Sequence, residues 1–571
     1  MAPDLILLHP PSVYDFRQKP ILFGPVSDLI PSSAVFEMYP MGFASIADYL
    51  ERAGFRVRIV NLAVRMLNNG KFDAEKMIKR LNAPLFGIDL HWLVHAHGAI
   101  EVARLVKQYH PDAKVVMGGL SSSYYYKELI QYPQVDYVMR GDSTEEPLRQ
   151  LVDCAKRGIE PAAVPNLVWQ DSQGRTQENP FSHVPANLDG VMVNHYANMV
   201  RSVIRYRDLA SQVPFQNWID YPITAVLTCR GCTENCVICG GSAAAFKSFY
   251  NREEKVVFRS PEAVVRDIKQ IARLSTGPIF ILGDLRQPGE AYGHKVLRLI
   301  QQIKVKNQFI LELFNPAPAE LLHQMGESCP NFCLQMSPES HDPAVRRAGG
   351  KHYSNEDFEQ TLGDALDAGC GRLDVFFMIG LSEQTPQSVM DNVDYFDYLY
   401  QKFRGDKRLS LFIAPLAPFL DPGSLGFEKP ERYGYSILFR TLEEHRQALT
   451  APTWKYSLNY ETKWMTRQQI VDITYEAILR LTRLKAKYGL ISKEMAEAGE
   501  RRILAGSEMT QRIKSILSGD GNSEEELSRL KVEIDRINML PVTEKRELEL
   551  PVGLIKLKFW RALWFLMTRG R

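Results

Sequence analysis

The chain has 571 residues, a mass of 65.1 kDa and a net charge of +2, and it is 45% hydrophobic and 24% charged. That mixture excludes a disordered or fibrous chain, leaves no global basic field for nucleic acid, and suggests about three domains at roughly 100–200 residues each. Eight cysteines are too few for a disulfide scaffold, and four of them fall within residues 229–239, which points to metal in a reducing compartment.

The apolar run at 5–8 is too short for a signal peptide and lacks a basic flank, and no stretch is long enough to span a bilayer. The expected location is the cytoplasm. Residues 1–160 alternate strand signals (5–8, 57–61, 86–89, 115–117, 135–140) with helix signals (43–53, 100–109, 144–156), and Gly54 stops the first helix. This rhythm predicts a doubly wound, Rossmann-like parallel sheet with helices on both faces. Residues 161–220, rich in Pro, Asn, Asp and Ser, read as a connector with an irregular strand at 166–170. Residues 221–420 alternate again, with strands at 223–227, 279–282, 309–314, 332–336, 373–379 and 409–415. Helices at 261–273, capped by Ser260 and Pro261, and at 355–368 fit between them, which predicts a partial (β/α)6 TIM-type barrel. Residues 421–550 read as mainly helical and 551–571 as a basic amphipathic tail.

The strand at 223–227 runs into Thr228-Cys229-Arg230-Gly231-Cys232-Thr233-Glu234-Asn235-Cys236-Val237-Ile238-Cys239-Gly240-Gly241. A short loop with Cys232, Cys236 and Cys239 at this spacing supplies three thiolates to one face of a four-iron cubane and leaves the fourth iron open for chemistry. A structural zinc site on Cys229, Cys232, Cys236 and Cys239 is the competing reading, and it leaves the barrel pattern unexplained. The motif C-x-x-x-C-x-x-C after a first barrel strand resembles the radical S-adenosylmethionine (SAM) superfamily. The resemblance covers residues 222–420 and implies a [4Fe–4S] cluster, SAM cleavage to a 5′-deoxyadenosyl radical, and an electron donor such as flavodoxin or ferredoxin.

It also implies SAM contacts. Ile238, where the family often has an aromatic residue, would pack on the adenine. Gly283-Asp284 resembles the segment near the SAM amino group. Ser337-Pro338-Glu339-Ser340 resembles the segment that meets the ribose and carboxylate, and Gly380 lies in a loop resembling "GLPGET" near the adenine. Cys329 and Cys333, four apart, leave an auxiliary cluster open, against the plainer reading of Cys154, Cys329, Cys333 and Cys370 as buried thiols.

The N-terminal region resembles the cobalamin-binding radical SAM enzymes. Residues 40–50, with Gly42, resemble their "P-x-G-L-A-x-L-A-x-x-L" opening, and residues 136–145, with Gly141, their "D-x-V-V-x-G-E-G-E-E" segment. Gly118-Gly119 matches a Gly-Gly pair, but Asp89-Leu90-His91 stands where those enzymes have Ser-x-Leu. The Asp-x-His-x-x-Gly motif that supplies a lower cobalt ligand in many cobalamin proteins is absent near residues 40–50, so no lower axial histidine is expected. The resemblance implies a cobalamin pocket lined by Gly42, Asp89, His91, Gly118, Gly119 and Gly141, with a vestigial domain as the alternative. His91, His95 and His97 read as a His-rich loop over that pocket rather than a metal site.

Residues 459–464 read either as lining of the substrate mouth or as a surface turn before a helix at 465–487. The tail suits an interfacial helix on anionic lipid or a docking helix at the barrel base. The reading as a whole is a cobalamin-dependent methyltransferase acting on an unactivated carbon of a small-molecule or lipid substrate, with peripheral membrane contact through the tail. A carbon-skeleton cyclising or rearranging enzyme, and a non-catalytic cobalamin sensor, are the alternatives. Intact Cys232, Cys236 and Cys239 argue against the sensor, which needs no open iron.

Overall fold

A computed structural model describes residues 2–24, 33–192, 196–250, 256–416, 418–519, 523–540, 543–553 and 556–558. Its first sheet holds β1 (Leu5–His9), β2 (Val57–Asn61), β3 (Leu85–Asp89), β4 (Lys114–Gly118), β5 (Tyr137–Met139), β6 (Leu167–Gln170) and β7 (Thr176–Glu178), in the order β2-β1-β3-β4-β5-β6-β7. β1 to β5 are parallel, so their crossover helices cover both faces and β1 is buried along its whole length. Ile6 and Leu8 pack into one apolar cluster while Leu5 and Leu7 pack into the other, as the two-residue side-chain period requires. The strand order reverses between β1 and β3, and there a crevice opens at their carboxyl ends.

β6 and β7 lie within the stretch read as a connector and extend the sheet antiparallel to β5. Thr176–Glu178 contains no apolar residue, which is why periodicity does not reveal it. The second sheet is built from β8 (Thr224–Leu227), β11 (Ile279–Asp284), β12 (Phe309–Leu313), β13 (Cys333–Glu339), β14 (Arg372–Ile379) and β15 (Leu409–Pro415). All are parallel and paired in sequence order from β8 to β15, which makes an open six-stranded barrel. Between β8 and β11, β9 (Cys229–Arg230) pairs antiparallel with β10 (Val257–Phe258). The barrel is followed by a small antiparallel pair, β16 (Tyr435–Ile437) and β17 (Tyr460–Thr462).

Of residues 459–464, Tyr460–Thr462 form a strand, and only Lys463 and Trp464 make a turn near the surface before the helix. Asn459 and Tyr460 are fully buried, and Asn459 bonds the backbone of Leu420 through both ends of its amide. The helix beyond starts at Arg467, fixed by a capping box between Thr466 and Gln469. Of the tail, Lys556 and Lys558 hydrogen-bond the backbone of Thr276 and Leu274 at the amino-terminal end of the barrel; residues 554–555 and 559–571 lie outside the described residues. Among the described residues, no helix is long and apolar enough to cross a membrane.

The β9–β10 pair is anchored by Arg259, which bonds the Asp267 carboxylate at 2.7 Å with both side chains almost wholly buried. The Arg259 amide also donates to the Thr228 carbonyl at 2.9 Å, beside the cysteine loop. Removing one partner of such a pair leaves a buried charge uncompensated. Asp267→Ala should therefore lower stability by about 3–5 kcal/mol, read as a fall in the urea midpoint; an unchanged midpoint would show that the pair contributes nothing.

Candidate active site

The cysteine loop leaves β9 and is folded back by its own backbone. Cys239 N–H reaches the Cys236 carbonyl at 3.3 Å and Ala243 N–H the Glu234 carbonyl at 2.8 Å. It is strapped to the far side of the barrel by Val237 N–H on the Gly349 carbonyl at 3.0 Å. Gly350 makes that approach possible: it has φ +97°, and a Cβ there would stand 2.9 Å from the Asn235 carbonyl oxygen. Backbone N–H groups point at sulfur, from Glu234 to Cys232 at 3.4 Å and from Gly241 to Cys239 at 3.3 Å. Burial pushes the free thiol of Cys232 up to about 11 and that of Cys239 up to about 12, and also raises Cys236. A metal ion reverses this, because a coordinating thiol is deprotonated outright. Three unpaired thiols on one short loop, with amide donors on two of the sulfurs, form a donor set that fits a [4Fe–4S] cluster.

Around this loop the remaining SAM-type positions separate. Ser337 lines the large cavity described below. Glu339, held at φ +69°, pairs with buried Lys351 at 3.3 Å, and its Oε2 is buried with no hydrogen-bond partner. A non-glycine residue in that backbone region with an unsatisfied oxygen marks a site kept strained by its surroundings. Ile238 packs into the barrel core. Ser340 is fully buried and turned to Asp342 and Asn392. At Gly380 a Cβ would stand 2.2 Å from the Tyr460 hydroxyl. Asp284 is already occupied, because Arg286 grips both its oxygens at 2.6 and 2.9 Å and Phe314 N–H donates to it at 3.0 Å.

One acid was missed by sequence reasoning. Glu312, within β12, accepts the Gly283 N–H at 2.5 Å. Burial pushes its carboxyl up to about 7, with a further rise from Asp284, against a lowering by the Gly283 bond. The only signal was a lone acid in the apolar run Phe309–Leu313. Cys329, Cys333 and Cys370 are fully buried in the barrel core.

In the N-terminal crevice, Asp89 ends β3 beside His9, which ends β1. Asp89 Oδ1 lies 2.9 Å from His9 Nδ1, and Oδ2 lies 2.7 Å from His91 Nδ1. Burial raises the Asp89 carboxyl, but the two imidazoles outweigh it and hold the group well below the usual carboxylate range. His95 stacks edge-on to His9 with ring centres 4.8 Å apart, and burial pushes its pKa well down. His97 is lowered to about 4, chiefly by burial, and accepts the Tyr14 N–H at 3.2 Å. Gly119 is required by sterics: at φ +118°, a Cβ would stand 2.4 Å from the His91 Cα.

Crevice and barrel open into one mainly apolar cavity of about 950 Å³. Gly42, Asp89, His91, Gly118, Gly119 and Gly141 all line its N-terminal side. Its barrel side carries Cys229, Arg230, Gly231 and Gly241, which bracket the three thiols in sequence. The two halves are joined by Arg230, whose guanidinium bonds both Glu145 oxygens at 2.6 and 2.8 Å, while Ser45 donates to Glu145 at 2.6 Å. A second apolar pocket of about 140 Å³ adjoins and shares Met38, Tyr39, Met41 and Ala225 with the cavity wall.

Residues 29–151 match the family model described as B12 binding domain, and residues 226–396 match that of the Radical SAM superfamily. The chain is 24% identical over 290 residues to the hopanoid C-3 methylase of Methylococcus capsulatus, covering 50% of each. It is 27% identical over 204 residues to an uncharacterised methyltransferase of Pyrococcus horikoshii, covering 36% of this chain and 40% of that one. The chain thus spans half or less of the length of these curated relatives. The structure of the radical SAM methyltransferase TsrM of Kitasatospora setae, with cobalamin and a [4Fe–4S] cluster bound, shares the fold at a TM-score of 0.56 and 15% identity, over 94% of this chain and 100% of that one.

The raised Glu312 carboxyl has a consequence for stability. Its folded pKa of about 7 lies above the ordinary 4.5, so its stabilising contribution is present below about pH 4.5 and lost as pH rises through 7. The thermal midpoint of the unliganded protein should fall between about pH 5 and pH 8, and Glu312→Gln should flatten that fall. Parallel profiles for the two proteins would count against a shifted Glu312.

Proposed function

This chain belongs to the radical SAM superfamily and carries a B12-binding domain, and from that premise we propose that it transfers a methyl group to an unactivated carbon of a small, largely apolar substrate. The observation that carries the proposal is the single cavity bounded by the Gly118-Gly119 crevice on one side and the mouth of the barrel on the other. A methyl carrier in the crevice and a radical source at the cysteine loop would face the same space. When bound, the cluster with SAM supplies a 5′-deoxyadenosyl radical for hydrogen abstraction, and cobalamin supplies the methyl group.

The chain's own residues have distinct tasks. Cys232, Cys236 and Cys239 hold the cluster, and Lys351 sets a buried positive charge beside Cys236 that favours its thiolate. Arg230 and Glu145 fix the spacing between crevice and barrel. The apolar walls from Phe376, Phe377 and Leu416 keep water from a reactive carbon radical. Both relatives carry a methyl-transfer activity in their names, which supports this reaction over skeletal rearrangement. The cluster requires a one-electron donor of the flavodoxin or ferredoxin kind and the reducing conditions of the cytoplasm.

Replacing Cys232, Cys236 and Cys239 together by Ala should abolish the cluster's visible absorption and formation of 5′-deoxyadenosine, because the cubane is held by those thiolates. With the intact protein and its substrate, 5′-deoxyadenosine and S-adenosylhomocysteine should form together. 5′-Deoxyadenosine without S-adenosylhomocysteine would replace methyl transfer by rearrangement.

Membrane contact belongs to the same proposal. The segment 554–571 carries five basic residues, two Trp and two Phe, and no acid. Deleting residues 559–571 should reduce co-sedimentation with anionic vesicles at low salt, at about 1 kcal/mol per basic residue near the surface, without affecting SAM cleavage. Equal sedimentation of both forms would remove the membrane role.

A further inference from the structure

The absence of an Asp-x-His-x-x-Gly motif near residues 40–50 argued against an imidazole beneath the corrin. The structure nevertheless assembles an aspartate-anchored imidazole on the cavity wall, at the end of β3. Resting on the reading that cobalamin occupies this cavity, we infer that His91 offers its Nε2 to the cobalt as an axial ligand, with Asp89 as the positioning residue.

Three observations lead there. The first is the tautomer. Asp89 places one oxygen on each of two imidazoles, Oδ1 at 2.9 Å from His9 Nδ1 and Oδ2 at 2.7 Å from His91 Nδ1, and a carboxylate oxygen accepts, so His91 Nδ1 carries the proton. That leaves Nε2 with the lone pair. An imidazole that donates one N–H to a carboxylate and presents the other nitrogen is oriented and made more basic for metal binding. The second is access. His91 keeps 31% of its side chain exposed and lines the cavity, and nothing among the described residues bonds its Nε2. Asp89 has both oxygens engaged, and His95, which also lines the cavity, is almost wholly buried and has no carboxylate on its ring.

The third is preorganisation. Leu90 N–H donates to the Gly118 carbonyl at 2.8 Å, and Ser122 N–H to the Leu90 carbonyl at 3.1 Å. These bonds pin the backbone on the residue before His91. The missing side chain of Gly119 lets the His91 backbone lie against the end of β4. Asp89 is itself fixed from behind by His9, whose Nε2 faces the Phe36 carbonyl at 3.2 Å. A chain of bonds from Phe36 through His9 and Asp89 to His91 is excessive for a loop that only covers a ligand. It is what holding one nitrogen at a set place requires.

The test is electron paramagnetic resonance of the full chain loaded with cob(II)alamin, with bound cobalamin counted per chain. An axial nitrogen splits each cobalt hyperfine line into three. Protein labelled with ¹⁵N only in histidine should show two, because the ligand nucleus changes spin, whereas a nitrogen from cobalamin's own nucleotide base would still give three. His91→Ala and His91→Gln should each retain cobalamin and lose the histidine-derived splitting. Asp89→Asn should retain cobalamin with a weakened or altered splitting.

Full cobalamin occupancy with unsplit lines, or with a triplet unchanged by labelling, overturns the inference while leaving the cobalamin reading intact. A doublet that survives in both His91 variants assigns the ligand to another histidine and overturns it too. Failure of the unsubstituted chain to bind cobalamin overturns the cobalamin reading, and the inference falls with it. The labelling experiment needs no substitution, so a variant that misfolds does not obscure the result.

Discussion

The structure depends on one ion pair. Arg230 stands in β9, two residues before the first thiol of the cysteine loop, and Glu145 is the first residue of the helix behind β5. Their bidentate contact, with Ser45 as a third member, crosses from barrel to sheet at a point that is nearly closed to water. Burial lowers the arginine's affinity for its proton, but Glu145 more than restores it; burial likewise raises the Glu145 carboxyl, and Arg230 pulls it below its ordinary value. Two charges in a low-dielectric setting are tolerated only when each satisfies the other, so the pair constrains geometry more than it adds stability. Here the constrained quantity is the distance between the crevice and the cysteine loop.

Given that distance, the division of the cavity follows. The sheet side is lined by glycines, where backbone must approach a bulky ligand, and the barrel side by aromatic and aliphatic residues from β14 and β15. Polar groups are the minority: Asp89, His91, His95, Asp142 and Thr144 on the sheet side, and Ser337 with Arg230 toward the cysteines. Such a wall binds by shape and exclusion of water, with orientation left to a handful of hydrogen bonds. The side pocket behind Met38 and Met41 enlarges the apolar share, and the flexible thioethers there can follow the outline of what enters.

How much of this could be read from the sequence depends on how far apart the cooperating residues lie. The parallel strands were legible because each is a short apolar run; the run at 409–415 coincides with Leu409–Pro415. The cysteine loop was legible because its three thiols lie within eight residues. The glycine pair at the end of β4 was legible as a local signal, and it does line the cavity. What stayed hidden was pairwise and distant. Arg230 and Glu145 are 85 residues apart, and His9 and Asp89 are 80 apart. Asp284 is the exception, held by Arg286 only two residues away, because spacing alone does not say which way two neighbouring side chains turn. Glu312 lay inside a run whose apolar neighbours made it look incidental, although a lone acid on a buried strand is costly unless it has a use.

The strap formed by Lys556 and Lys558 along Leu274 and Thr276 sets a direction. It lies before the first residue of β11, at the amino-terminal end of the barrel, whereas the cavity lies at the carboxyl ends, where Leu282, Met378 and Leu416 line it. The six residues of β11 alone put about 20 Å of strand between the two ends. Whatever follows residue 558 starts at the end of the barrel opposite the cavity. A lipid surface touching residue 558 would therefore meet the amino-terminal end of the barrel, with the length of the parallel strands between it and the cavity.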